Sequence, residues 1–180
     1  LKKIGLAIAD YTQAIKLNPS HFQALNNRGM ALRELRLFDE AIEDFGNCVD
    51  LKPDFADGYW NKALTHLMIG DYEIGWKLYE HRWHTNEFRQ FKQKFNVPLW
   101  LGQQNLDNKT ILCHAEQGLG DTIQFLRFCK MFDTKKTTVF VQCHSDLIEI
   151  AQTLQLPAKF YETGSKLPDY DFHCPLMSLP

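Results

Sequence analysis

A chain of 180 residues, 44% apolar and 13% aromatic, has room for one ordinary domain or two small ones with genuine cores, which sets aside the disordered and low-complexity classes. A net charge of -2 and a pI near 6.4 give no basic field, so neither nucleic acid nor an anionic membrane surface is an expected partner. No apolar run approaches the roughly 20 residues of a membrane span, and the N-terminus lacks a signal-peptide pattern, so a cytoplasmic location is expected.

Cys48, Cys113, Cys129, Cys143 and Cys174 are scattered singly, without CxxC spacing, and are expected to be reduced thiols, neither zinc ligands nor a disulfide framework. The chain starts at Leu1 without a methionine and stops at Pro180 just after an apolar run, so it reads as a piece of something longer.

The first half repeats itself. Ala7, Tyr11, Ala14 and Pro19 recur 34 residues later as Ala41, Phe45, Cys48 and Pro53. Small residues let helices approach closely, the aromatic fills the space between repeats, and the proline stops the second helix. In this register Leu1–Leu17 is the second helix of a first pair, Phe22–Leu51 is a full pair, and Phe55–Trp83 is a third with small positions at Ala63 and Gly75. The stretches 35–41 and 69–75 are the turns, with Asp39 and Asp71 as caps or first-turn acids. The period and residue types resemble the tetratricopeptide repeat, Gly29 standing where that family carries the small residue of its first helix. Asn27 and Asn61, also 34 apart, fall on the helix that lines the concave face in that family. An amide both donates and accepts, so such a ladder can grip an extended peptide, as in the superhelix of the eukaryotic O-linked sugar transferase, which this arrangement resembles. The competing reading has these asparagines merely solvated or serving helix–helix contacts.

Residues 79–95 alternate polar and aromatic positions and read as a solvated helix face, with Arg82, Arg89, Lys92 and Lys94 interrupted by Glu80 and Glu87. His81 and His84 are three apart, a metal-compatible spacing, yet nothing completes a site, and no metal is expected. The proline, tryptophan and glycine of 98–102 mark a docking hinge, with Trp100 as an anchor between the halves. The expected boundaries are therefore 1–95 for the helical domain, 96–109 for the linker and 110–180 for the second domain.

In the second half an apolar run at 110–113 precedes the glycine turn His114-Ala-Glu-Gln-Gly-Leu-Gly-Asp121 and an amphipathic stretch at 122–131. Further strand-like runs at 137–143, 159–161 and 172–176, with an amphipathic stretch at 146–154, predict a parallel sheet with right-handed crossovers. Ligands of such sheets sit beyond the carboxyl ends of the strands, where His114 with Glu116, His144 with Ser145, and His173 are expected. Gly118 and Gly120 are followed by Ile123 instead of a third glycine, and no P-loop lysine follows, so NAD and ATP are not expected.

Taken together, the repeats, the GWKLYEHRW segment at 75–83, PLWLG at 98–102, HAEQGLGDTIQFLR at 114–127 and the closing HCPLMSLP resemble a bacterial family. It fuses tetratricopeptide repeats to a two-lobed GT-B glycosyltransferase-like domain related to the lipopolysaccharide heptosyltransferases. The implied fold is a helical solenoid followed by a partial doubly wound parallel α/β lobe, the N-terminal lobe of a GT-B enzyme. The resemblance implies that this lobe holds a glycan or protein acceptor through Gln117, Gly118, Gly120, His144 and His173. A nucleotide sugar would be the donor in a longer homologue, and no cofactor is expected in this chain. In the relatives a Gly-Asp pair at this turn supplies the proposed base. Carried over, Asp121 would take the proton of an acceptor hydroxyl, whose oxygen attacks the anomeric carbon while the nucleoside diphosphate leaves, with Glu116 and His114 as alternatives. A helix-capping Asp121 is the competing reading. Without a second lobe the chain alone is expected to be inactive. The rival to this enzyme reading is a non-catalytic scaffold whose repeats bind a protein or peptide.

Overall fold

The computed structural model describes residues 2–116 and 118–180. The chain forms two compact units, Leu1–Gln90 and Phe91–Pro180.

The first unit is entirely helical. Helices α1 (Lys2–Leu17), α2 (Phe22–Glu34), α3 (Phe38–Leu51), α4 (Ala56–Ile69) and α5 (Tyr72–Tyr79) follow the 34-residue register. Pro19 and Pro53 stand two residues past the ends of α1 and α3, where a proline cannot continue the helix. The turns that close α2 and α4 use one left-handed residue each, Arg36 at φ 61° and Gly70 at φ 85°, also 34 apart. Glycine adopts that conformation freely, whereas a side chain there is strained by about 1–2 kcal/mol. Asp39 lies in the first turn of α3, and Asp71 precedes α5 but spends its carboxylate on His66 Nδ1 at 2.9 Å.

Gly29 shows why the repeat carries a small residue at this point. A Cβ there would lie 2.8 Å from Phe45 Cε1, so only glycine lets the ring seat flat against α2. Ala41, Phe45 and Cys48 of α3 are fully buried, and Ala24 and Leu25 of α2 nearly so. Two neighbours are tied by charge: Arg28 donates through Nη2 to Asp44 Oδ1 at 2.6 Å and through Nε to Oδ2 at 2.7 Å, and reaches Thr12 Oγ1 at 3.2 Å. One guanidinium thus links α1, α2 and α3, and Asp44 raises its pKa further.

The stretch after α5 departs from the expected solvated helix. It narrows to a 3-10 turn, Glu80–His84, in which Arg82 is 0% exposed and Trp83 is buried, and Thr85 and Phe88 just after it are buried too. The Arg82 guanidinium lies over the rings of Tyr79 and Trp83, 4.6 and 4.4 Å from their centroids, and Nη1 donates to Glu80 Oε1 at 2.7 Å. Polar letters alone suggested solvent; aromatic faces and a carboxylate make burial of this cation affordable instead. His81 stacks on Tyr59 with centroids 4.0 Å apart, and among the described residues no group of three or more His, Cys, Asp or Glu is arranged to hold a metal ion.

The second unit is a four-stranded parallel sheet. Strands β1 (Lys109–His114), β2 (Thr137–Cys143), β3 (Lys159–Glu162) and β4 (Phe172–Pro175) lie in the order β3-β2-β1-β4. Helix α6 (Leu119–Leu126) follows β1 and tightens into a 3-10 turn at Arg127–Met131, and α7 (Ile148–Thr153) follows β2. After β3 the chain crosses back to the far side of β1, so the order reverses between β1 and β4. Residues 111–114 and 139–143 are buried without alternation, as expected for strands covered on both faces. All five cysteines are buried thiols outside any disulfide, and burial pushes the Cys48 thiol up to about 11.

The stretch expected to be a docking hinge is part of this sheet edge. His173 N–H donates to Pro98 O and accepts at its own carbonyl from Trp100 N–H, so 98–100 runs parallel to β4. The Trp100 ring packs on Phe132, and its indole N–H donates to Gln104 O at 2.9 Å. Among the described residues no helix is long and apolar enough to cross a membrane.

Candidate functional site

Two places gather the residues singled out from the sequence. In the first unit a groove of about 620 Å³ opens along α1 and α2. Ile4, Ala7 and Tyr11 of α1 and Met30 and Ala31 of α2 make its apolar wall, joined by Met68 of α4. Asn27, Lys3, Arg33 and Glu34 supply the polar rim. Met30 and Met68 are 42% and 61% exposed, and unbranched thioethers of this kind adapt to varied partners.

The two asparagines of the expected ladder are treated differently. Asn27 is exposed on the groove. Asn61 is buried: its Nδ2 donates to Asn26 Oδ1 at 3.0 Å, and Arg33 donates to its Oδ1 at 3.4 Å and its carbonyl at 3.1 Å. Arg33 is half-buried over the Phe45 ring, and desolvation lowers its pKa. Asn27 Oδ1 accepts a long hydrogen bond from Asn26 Nδ2 at 3.5 Å, and its exposed amide is the more open of the two. Sequence reading named Tyr11 only as a packing residue and passed over Met30, Arg33 and Met68; the 34-residue register, followed on to Glu34 and Met68, was the signal available for them.

In the second unit the turn after β1 brings some of the expected residues together. His114, 2% exposed at the end of β1, lies 3.2 Å through Nε2 from Nδ1 of His173 on β4. Phe95 covers both rings, its centroid 4.5 Å from His114 and 4.1 Å from His173. Burial pulls the His173 pKa down to about 4, so its imidazole is neutral at pH 7. Glu116 is buried beside the turn. Gly118 caps α6, Gly120 is exposed, and Asp121 sits half-exposed in the first helical turn with Oδ2 folded back toward Gly118. A carboxylate there is favoured by the free N–H groups and partial positive charge of the helix start. His144 follows β2 with its side chain 61% exposed and pairs with Asp146 at 3.6 Å. Gln117 lies outside the described residues. Phe95 was missed because nothing in a loop sequence says which ring will fold over a strand end.

Comparison with known proteins bears on the first unit. Residues 22–55 match the tetratricopeptide repeat. The chain is 36% identical over 78 residues to U-box domain-containing protein 70 of Oryza sativa subsp. japonica, covering 43% of this chain and 10% of that protein. It is 30% identical over 79 residues to Hsp70-Hsp90 organizing protein 3 of Arabidopsis thaliana, covering 44% and 14%. Among solved structures, the TPR2B domain of yeast Sti1 in a pHsp70 complex aligns with 27% identity and a TM-score of 0.46, covering 49% of this chain and 72% of that one. The chain spans no more than about a fifth of the length of the curated relatives it matches. The tetratricopeptide match thus covers α2 and α3, within a run of helices that keeps the same 34-residue register.

Proposed function

We propose that the repeat unit is a protein-binding module and that its site is the groove between α1 and α2. The observation that carries this is the joining of an open apolar wall, Tyr11, Met30 and Met68, with the exposed amide of Asn27 and cations at Lys3 and Arg33. Apolar contact supplies affinity, while the amide and charges fix register on a peptide backbone. Similarity to proteins named as organizers of Hsp70 and Hsp90 supports a role in bringing other proteins together. Selection of peptides from a random display library against the full chain tests it. Selected peptides should bind with micromolar affinity, weakened at least fivefold by Asn27→Ala and by Met30→Ala. Peptides indifferent to both substitutions, and to Tyr11→Ala, would place binding elsewhere and overturn the reading.

A second reading concerns the α/β unit, as the acceptor lobe of a sugar transferase. It is favoured by the parallel sheet whose order reverses beside β1, with a glycine turn at that strand end and Asp121 half-exposed in the first turn of α6. In this reading Gly118 and Gly120 let an acceptor approach the backbone, and Asp121 is the base for its hydroxyl. Saturation-transfer NMR against a panel of mono- and disaccharides should show contact to at least one. That contact should survive Asp121→Asn and be lost on Gly120→Val. A panel without any contact would remove the reading.

A further inference from the structure

The chain's net charge is -2, yet one rim of the second unit gathers cations with no carboxylate among them. Helix α6 runs back from the glycine turn toward the amino ends of the strands, and its outer face continues into the 3-10 turn at Arg127–Met131. Ile123, Arg127 and Lys130, four and three residues apart, therefore point the same way. Opposite them, Gln155 takes the left-handed conformation at φ 48° just after α7, and Leu154 and Leu156 on either side of it line the same slot. The slot measures about 260 Å³. Ile123 and Leu154 are exposed along it, and Leu156 is buried. Arg127 Nε donates to Gln124 O at 2.6 Å, which leaves the two terminal nitrogens of the guanidinium for another partner. No aspartate or glutamate lines the slot, nor the adjoining depression of about 440 Å³ that shares Leu156 and adds Lys159. Among the described residues Arg127, Lys130 and Lys159 enter no ion pair, whereas Lys109 and Lys136 pair with Asp171 and Asp107 at 3.3 and 3.6 Å.

From this we infer that the slot binds a small anionic amphiphile, an acid whose single alkyl chain lies on Ile123, Leu154 and Leu156 and whose carboxylate or phosphate head meets Arg127 and Lys130. Apolar wall and unpaired cations each exclude a different class of ligand. An inorganic anion would leave the aliphatic side chains in water, and a neutral hydrocarbon would leave both cations without a partner. A volume below the roughly 300–1,000 Å³ usual for drug-sized ligands suits one chain. A protein partner would need on the order of 800 Å² of surface on this side, far more than five side chains around one slot supply. The slot stands at the opposite rim of the sheet from Asp121 and the glycine turn. It is therefore independent of both functions proposed above.

Sodium decanoate, held below its micelle-forming concentration, is titrated into the full chain and followed by methyl NMR of isoleucine and leucine. Saturable binding of one molecule per chain is expected, with the Ile123, Leu154 and Leu156 methyls moving most. Octanoate should bind more weakly by about fourfold for each methylene removed, the roughly 0.8 kcal/mol of a buried CH₂ group. Decyl phosphate should bind at least as well as decanoate, and uncharged decan-1-ol at least fivefold more weakly. Arg127→Gln combined with Lys130→Gln should remove the preference for acid over alcohol, and Ile123→Ser should weaken both. All three side chains are exposed, so the melting curves of these variants should match that of the parent chain. Methyls that stay unmoved by decanoate, or acid and alcohol bound equally by the parent chain, would overturn the inference. So would binding indifferent to both Ile123→Ser and the double variant, which would put the amphiphile elsewhere. Phosphatidylglycerol vesicles that sediment the chain while decanoate stays silent would replace the single molecule with a membrane surface, and the inference would fall.

Discussion

Helices α1 and α3 carry nearly the same residues at the same spacing and live in different surroundings. Phe45 is 0% exposed with Gly29 against its ring, whereas Tyr11, 34 residues earlier, borders an open groove. Asp44 is buried in a two-pronged pair with Arg28, whereas its counterpart Asp10 is exposed. The difference teaches that the repeat pattern encodes a surface on which a helix can pack, and that the neighbour decides whether the surface becomes core or stays open.

The comparison is broken most directly at its aromatic position. Phe45→Ala should cost about 3–5 kcal/mol in chemical denaturation, while Tyr11→Ala should cost less than about 1 kcal/mol, since only the first leaves a cavity. Equal losses would mean that α1 is as fully packed as α3. Next in size, Asp44→Ala should cost about 2–4 kcal/mol, because it strands the Arg28 guanidinium between three helices, and Asp10→Ala should fall within about 0.5 kcal/mol. For the asparagines, Asn61→Ala should lose about 1–3 kcal/mol by leaving Asn26 and Arg33 short of a partner, while Asn27→Ala should leave the melting temperature unchanged.

The second unit offers a contrast in protonation. A histidine whose folded pKa is near 4, below the usual 6.5, takes up protons more readily when unfolded. Its contribution to stability is therefore fully present above about pH 6.5 and is lost as pH falls toward 4. Hydrogen exchange of β1 and β4 amides should report this as a loss of about 1–2 kcal/mol between pH 7 and pH 4.5, smaller in His173→Gln. A pH-independent profile would mean that His173 is solvated. The smallest effect is at the left-handed turn: Arg36→Gly should stabilise by up to about 1 kcal/mol, and Gly70→Arg should destabilise by a similar amount, both read as shifts in the denaturant midpoint.

How much was legible before the structure differs between the halves for a physical reason. The helix pairs could be placed because period, small residues and proline stops are local signals that repeat, and the observed α1–α4 follow them to within a residue or two. The four strands could be placed because runs such as Thr137–Cys143 are too short and too continuously apolar for a surface helix. The segment at 79–95 misled because charge and histidine letters resemble a solvated face; only the arrival of Tyr79 and Trp83 on either side makes Arg82 a core residue. The stretch 98–102 misled similarly, since proline and glycine mark a turn but do not say that the neighbouring backbone will pair with β4.

The amino-acid order by itself determined the repeat, the identity of the small and aromatic positions, and the succession of strands and helices, because each depends on residues within a turn or a strand of one another. Tertiary structure alone decided that Asn61 is spent inside while Asn27 is offered, that Phe95 lies over His114 and His173, and that Tyr11 borders a groove while Phe45 lies in a core. Those outcomes depend on which distant element arrives at a surface, and burial is a property of the pair in contact, never of one segment alone.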